Sequence, residues 1–214
     1  MSEIRIKTLV VGMVGTNCYL VYDHETKKAA VVDPGDSADK IVNMAVSLGL
    51  KPEAILLTHG HFDHMMAAKK LKEAWHVPIY ACEKEIEVLS DSRKSLVASY
   101  YRKPYTLTPD ITVKEGDELS IAGFTWKVFE TPGHTIGSCC YYIEKESVLF
   151  SGDTLFAGSY GRTDFPTGSG RQIAESVRRL LSTLPDDTMV YPGHMDTTTI
   201  GFEKKYNPLS GAMG

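Results

Sequence analysis

The stretch Leu57-Thr58-His59-Gly60-His61-Phe62-Asp63-His64 places three imidazoles and one carboxylate within six residues. His59 and His61 stand two apart, so in an extended chain they project to the same side. Imidazole combined with carboxylate suits zinc, iron or manganese, whereas magnesium and calcium favour oxygen ligands alone. Upstream, Glu53-Ala54-Ile55-Leu56-Leu57-Thr58 is a short apolar run entered from Pro52, which reads as a buried strand. Downstream, Met65, Ala68, Leu71 and Trp75 fall near helical spacing, so residues 65–75 read as a helix. Ligands between a strand end and a helix start are held by rigid elements, as a preorganised site requires.

Three further candidates lie beside glycines in turn-like settings: His134 in Pro132-Gly133-His134, Asp153 in Gly152-Asp153, and His194 in Pro192-Gly193-His194. With His59, His61, Asp63 and His64 they make seven N/O ligands from four loops, enough for two divalent ions. His24, in the charged turn Asp23-His24-Glu25, and His76, after the 65–75 helix, fall outside this pattern and read as ordinary surface histidines.

Strands are expected at Ile4 to Val11, Cys18 to Tyr22 and Ala29 to Val32, followed by a helix from Ser37, its cap, to Leu48, with Gly49 as its stop. After the histidine-rich loop, Pro78 to Ala81 reads as strand and Glu83 to Tyr101 as helical. Strands then recur at Ile111 to Val113, Leu119 to Ile121, Thr125 to Glu130, Ser138 to Ile143 and Val148 to Ser151. A last amphipathic helix spans Gln172 to Ser182, ended by Pro185, and Met189-Val190-Tyr191 leads into His194. Periodicity alone gives an α/β or α+β class. Strand runs in both halves end in ligand-bearing turns, which places the site along an edge where two sheets meet.

The chain's 214 residues, 43% of them hydrophobic, can bury one sizeable core, and no low-complexity linker divides residues 1–214 into more than one domain. A formal charge of -4 without a dense Lys/Arg stripe argues against a nucleic-acid partner, and Lys27-Lys28 and Lys69-Lys70 read as solvated faces. Cys18, Cys82, Cys139 and Cys140 lack C-x-x-C spacing and are expected as reduced, buried thiols. The apolar run near the N-terminus is too short to span a membrane, and no cleavage site follows it, so the expected location is cytoplasmic. Oligomeric state is not legible.

T-H-x-H-x-D-H followed by distant His, Asp and His resembles the metallo-β-lactamase superfamily, and more narrowly its short glyoxalase-II-like (hydroxyacylglutathione hydrolase-like) members. The resemblance rests also on Thr16-Asn17-Cys18-Tyr19-Leu20, Val32-Asp33-Pro34-Gly35, Thr131-Pro132-Gly133-His134-Thr135, Phe150-Ser151-Gly152-Asp153-Thr154-Leu155, Gly161-Arg162-Thr163-Asp164-Phe165-Pro166 and Thr198-Thr199-Ile200-Gly201 with Asn207-Pro208. It implies a four-layered αβ/βα sandwich. It also implies that His59, His61 and His134 hold one metal ion, that Asp63, His64 and His194 hold a second, and that Asp153 bridges both, with zinc the expected metal and iron or manganese the alternatives. The implied chemistry is hydrolysis of a small thioester such as S-lactoylglutathione by a metal-bound hydroxide, with Asp63 and Asp153 indispensable.

Around that set, Asp33 resembles the family's buried carboxylate that orients the ligand loop, Thr58 is expected to donate beneath it, and Arg162 is expected to pair with Asp164. Met65, Met66 and Met195 are expected as ordinary packing, and Tyr100, Tyr101 and Tyr105 are candidates for lining an opening. The stretch after His194 is too short for the helical domain that carries glutathione contacts in full-length glyoxalase II, so those contacts do not carry over. Two alternatives remain from the same fold. One is a mononuclear-iron persulfide dioxygenase, disfavoured by Pro166 after Gly-Arg-Thr-Asp-Phe; the other is a lactonase or β-lactamase, the latter disfavoured by Asp153 where some β-lactamases carry cysteine. A non-catalytic metal-binding module is disfavoured because all seven ligand positions are filled.

Overall fold

Residues 3–211 are described by a computed structural model. Two six-stranded sheets carry the fold. The first runs in chain order through β1 (Ile4–Val11), β2 (Thr16–Asp23), β3 (Lys28–Val32), β4 (Lys51–Leu56), β5 (Ile79–Cys82) and β6 (Ile111–Val113). β1, β2 and β3 pair antiparallel, and β3 to β6 pair parallel. The second sheet begins with β7 (Glu118–Ile121), β8 (Phe124–Glu130), β9 (Cys139–Ile143) and β10 (Val148–Gly152). After a small hairpin of β11 (Leu155–Phe156) and β12 (Ser159–Tyr160), it is completed by β13 (Met189–Pro192), parallel to β10, and β14 (Thr198–Thr199).

Alternation along the strands decides the layers. Tyr19, Val21, Val32 and Leu56 of the first sheet pack against Trp126, Tyr141 and Phe150 of the second, forming the dry seam between sheets. Leu20, Val31 and Ile55 point the other way, onto Ile41 of α1 (Ala38–Ser47) and Leu71 of the eight-residue helix Ala68–Trp75. On the far side, Cys140, Tyr142 and Leu149 meet Ile173, Val177 and Leu180 of the helix Gly170–Thr183. Those residues fall on one helical stripe, the pattern that buries one face of an amphipathic helix. Helix, sheet, sheet, helix is the four-layered sandwich expected from the resemblance.

Local departures from the sequence reading have identifiable causes. The segment read as one helix from Met65 is two: α2 (Phe62–Met65) and α3 (Ala68–Trp75). Glu83 to Tyr101 is likewise broken into a single 3-10 turn at Glu83–Glu85, α4 (Ile86–Leu89) and α5 (Val97–Tyr100). Asp91 causes the break: its carboxylate accepts from the Arg93 amide at 2.8 Å, a local turn that competes with the helix. Leu96 follows in the left-handed region, at φ 63°. Ser37 stands where α1 begins, but its hydroxyl donates to Asp36 at 3.3 Å and caps nothing. α6 (Gly170–Thr183) is capped by Ser169, which accepts from the Gln172 amide, and α7 (Ile200–Tyr206) follows β14. All four cysteines are free and buried, as expected. Among the described residues no helix is long and apolar enough to cross a membrane.

Candidate metal centre

Each candidate ligand sits just beyond a strand. His59 and His61 follow β4, Asp63 and His64 open α2, His134 follows β8, Asp153 follows β10 and His194 follows β13. Parallel strands present their carboxyl ends together, and β4, β10 and β13 use that end for ligands. The seven side chains meet beyond the strand ends of both sheets, on one side of the sandwich. His59, His61 and His134 can offer nitrogens within 4.8 Å of one another, as can the donor atoms of Asp63, His64 and His194. Asp153 lies between the two groups: its Oδ1 is 3.3 Å from His64 Nε2, and its Oδ2 is 3.5 Å from His134 Nε2 and 3.6 Å from His194 Nε2.

The two halves of the chain are stitched together around this edge. Asn17 of β2 donates from its amide nitrogen to the carbonyls of Pro192 at 3.0 Å and Met195 at 2.9 Å, bracketing His194. Tyr19 adds a 2.6 Å bond to Pro192 O. In return, Tyr141 of β9 donates to Leu57 O at 3.0 Å, and the Cys139 amide donates to Thr58 O at 2.9 Å. Gly193 has to be glycine, since a Cβ there would stand 2.2 Å from Asp153 Oδ1 and 2.6 Å from His64 Cε1. Gly35 is equally constrained, with Asp63 O only 1.4 Å from where its Cβ would lie.

Supports behind the ligands fix which nitrogen faces inward. Asp33 accepts from the Thr58 amide at 2.8 Å and the Thr58 hydroxyl at 2.6 Å, and its Oδ2 lies 2.9 Å from His64 Nδ1. Asp33 adopts φ 50° to do this. His134 Nδ1 is 2.8 Å from the Arg162 carbonyl, which accepts only, so the proton belongs on Nδ1 and the Nε2 lone pair faces the centre. Thr16 donates to Asp63 Oδ2 at 2.8 Å. The roles expected of Asp33 and Thr58 are therefore present, and Arg162 pairs with Asp164 as expected.

Electrostatics separates the histidines. Burial holds His59 well below the ordinary imidazole value, brings His61 down to about 3, and lowers His134. These three are neutral and able to ligate. Burial opposes protonation of His64 as well, but the carboxylates of Asp63, Asp153 and Asp33 overcome it and hold its pKa well above the usual value. Burial would raise Asp63 too, yet His64 and His194 hold it far below the carboxylate range.

The arrangement passes a direct test of fit to metal. His59 Nε2, His61 Nε2, His64 Nε2 and Asp153 Oδ1 are buried without a hydrogen-bond partner. Unsatisfied buried polar atoms cost roughly 1–3 kcal/mol each; His64 Nε2 and Asp153 Oδ1 offset part of that by facing each other at 3.3 Å, whereas His59 Nε2 and His61 Nε2 are left for a cation to satisfy. His61 Nδ1, meanwhile, faces His134 Nε2 at 2.8 Å. The cluster suits two divalent ions.

Glu85 was not anticipated from sequence. Wholly buried, it accepts from the Gly60 amide at 2.7 Å, the Gly137 amide at 2.8 Å and the Thr135 hydroxyl at 2.9 Å. It ties the loop of His59 and His61 to that of His134. Burial pushes its pKa up to about 7, with those three donors opposing the rise. Its sequence setting, Glu83-Lys84-Glu85 in an expected helix, reads as solvated charge, and only the long-range contacts reveal its role. Thr16, Asn17 and Tyr19 belong to a string that carries the resemblance, but nothing in that string signals their bonds to the site.

Over the ligands opens a cavity of about 420 Å³, which Asp63, His134, Asp153 and His194 help to line. Met65 is core, Met66 packs half-buried against it, and Met195 stands 62% exposed at the cavity rim rather than packed. Of the three tyrosines, Tyr100 lines the cavity, whereas Tyr105 bonds Met65 O at 3.1 Å.

A family model described as the metallo-beta-lactamase superfamily matches residues 11–194. The chain is 36% identical over 208 residues to the hydroxyacylglutathione hydrolase GloC of Haemophilus influenzae, covering 96% of this chain and 97% of that protein. Among solved structures, BLEG-1 B3 metallo-beta-lactamase superposes with a TM-score of 0.91 at 38% identity, over 97% of this chain and all of that one. TTHA1623 in a di-iron-bound form gives a TM-score of 0.83 at 34% identity, over 94% of this chain and 98% of that one.

Proposed function

The chain belongs to the metallo-beta-lactamase superfamily, and we propose that it is a binuclear metal-dependent hydrolase that cleaves thioesters, S-lactoylglutathione among them. The observation that carries the reading is the clustering of His59, His61 and His134, of His59, His64 and Asp153, and of Asp63, His64 and His194, each set with donor atoms within 4.8 Å of one another and drawn from both halves of the chain. His59, His61 and His134 would hold one ion, Asp63, His64 and His194 the other, and Asp153 would bridge them. Zinc fits this donor set, and iron is supported by the di-iron relative. When bound, two such ions supply Lewis acidity and draw the ionisation of water toward neutral pH.

The protein's own groups do the positioning. Asp33 fixes the ring of His64, the Arg162 carbonyl fixes that of His134, and Thr16 fixes one oxygen of Asp63. Asp63 and Asp153 are ionised carboxylates that line the cavity, where they can orient water. Hydrolysis adds one water: a C–O bond forms, the C–S bond breaks, and an acid and a thiol leave. The four free, buried cysteines support a reducing compartment such as the cytoplasm.

The test is metal content of protein purified without added metal, paired with turnover of S-lactoylglutathione. Two ions per chain with hydrolysis supports the reading. One iron per chain, no hydrolysis and oxygen uptake with glutathione persulfide would replace it with a dioxygenase. Likeness to BLEG-1 favours one second reading, lactam hydrolysis, which a chromogenic cephalosporin tests in the same preparation.

A further inference from the structure

The cavity above the ligands is walled by aromatic and aliphatic side chains. Phe62 stacks on Tyr100 with ring centroids 4.4 Å apart, Phe165 sets its ring against His61 at 5.7 Å, and Phe156 meets His194 at 6.1 Å. Val14 and Met195, 44% and 62% exposed, extend this apolar lining to the rim.

Charge at the mouth is the second observation. Among the described lining residues, Arg162 is the one carrying a guanidinium or ammonium group. It is already engaged on an edge and a face. Nε and Nη2 donate to the two oxygens of Asp164 at 2.7 and 2.6 Å, and the guanidinium carbon lies 4.0 Å from the Phe165 ring centroid. The pair is exposed, so its own strength is small. What matters is its sum: Arg162 and Asp164 together present no net charge. A glutathione thioester brings two carboxylates and one ammonium to this mouth, a net negative charge for which the neutral Arg162–Asp164 pair offers no surplus cation. The chain's formal charge of -4 would be balanced, not reversed, by two divalent ions, so no general field draws an anion in.

We propose that the cavity selects thioesters whose thiol portion is uncharged and apolar, an aryl or alkyl group, over those of an anionic peptide thiol. Asp164 is then a specificity residue that cancels the charge of Arg162, and the proposal rests on the hydrolase reading above. The aromatic walls bury the apolar group, and burial of one ring is worth a tenfold or greater preference.

The experiment compares S-lactoyl thioesters of benzyl mercaptan and of glutathione, which share an acyl group, on the metal-loaded protein. The expected kcat/KM ratio is about tenfold or more in favour of the benzyl ester, arising mainly in KM. A ratio below threefold, or a reversed one, overturns the proposal. Asp164→Asn, which frees Arg162, is expected to narrow the preference by threefold or more, chiefly by lowering KM for the glutathione ester. An unchanged ratio removes Asp164 from the account. Should neither ester be hydrolysed, the hydrolase reading falls, and selectivity is judged by calorimetry with the two free thiols. Tighter binding of benzyl mercaptan supports the proposal, and equal or tighter binding of glutathione overturns it.

Discussion

The two ligand triads are built on different principles. His59, His61 and His134 are almost sealed, at 1%, 2% and 2% exposure, and burial keeps their rings neutral. Asp63, His64 and His194 balance charge among themselves, with His64 Nε2 3.4 Å and His194 Nε2 3.1 Å from Asp63 Oδ2, and the His194 side chain is 21% exposed. A neutral, dry triad gains its polar satisfaction from a cation, whereas a self-compensating, wetter one already has part of it. The sealed triad should therefore hold its ion more tightly, and a mild chelator should strip the other first. Asp153, within 3.3–3.6 Å of rings from both groups, is what joins the two.

Breaking that junction gives the largest effect. Asp153→Asn is expected to lower turnover by more than the ~100-fold typical of supporting residues, and to deplete both ions. Elemental analysis of the purified variant checks this, and retention of two ions would show that the triads are independent. Asp33→Asn comes next, because it acts directly on His64 and reaches the sealed triad only through Thr58, whose hydroxyl lies 3.2 Å from His59 Nδ1. Affinity for one ion should fall ~10–100-fold while the other stays bound, measured by competition with a chelator. Equal weakening of both ions would mean that the two triads are not separately supported. Glu85→Gln acts on the sealed side. A glutamine turns one acceptor into a donor facing an amide or hydroxyl donor, leaving a buried group unpaired at a cost of about 1–3 kcal/mol. Denaturant unfolding should register that loss, and metal competition should show that it falls on the triad of His59, His61 and His134.

What could be read from sequence followed from locality. His59, His61, Asp63 and His64 are adjacent, so spacing alone announced them, and the alternating strands gave away both sheets. His134, Asp153 and His194 were marked by their glycines, and Gly193 does allow the close approach of Asp153. Non-local bonds left no comparable trace. Glu85 acts across 25 residues to Gly60 and 52 to Gly137, and nothing in Glu83-Lys84-Glu85 signals burial. Periodicity also overran its limits between Glu83 and Tyr101, where the side chain of Asp91 supplied a turn that apolar spacing does not encode. The resemblance, rather than periodicity, supplied the stacking of four layers.

The smallest effect probes whether the sealed triad depends on the helix beside it. α6 approaches the His134 loop closely: the Ser169 amide donates to Gly133 O at 2.8 Å, and Ser176 donates to Pro132 O at 2.8 Å. The hydroxyl of Ser169 does something separate, accepting from the Gln172 amide at 3.3 Å to cap the helix. Ser169→Ala removes the cap and keeps the backbone bond to Gly133. Loss of such a cap costs about 1 kcal/mol, a Tm decrease of roughly 2–4 °C in a chain of this size. Metal affinity should be unaltered, since Asp33, Glu85 and the Arg162 carbonyl, not the helix terminus, hold the rings and their loops. If affinity at His59, His61 and His134 drops along with Tm, the rigidity of that triad is borrowed from α6, and its contrast with the wetter triad is one of packing rather than of charge.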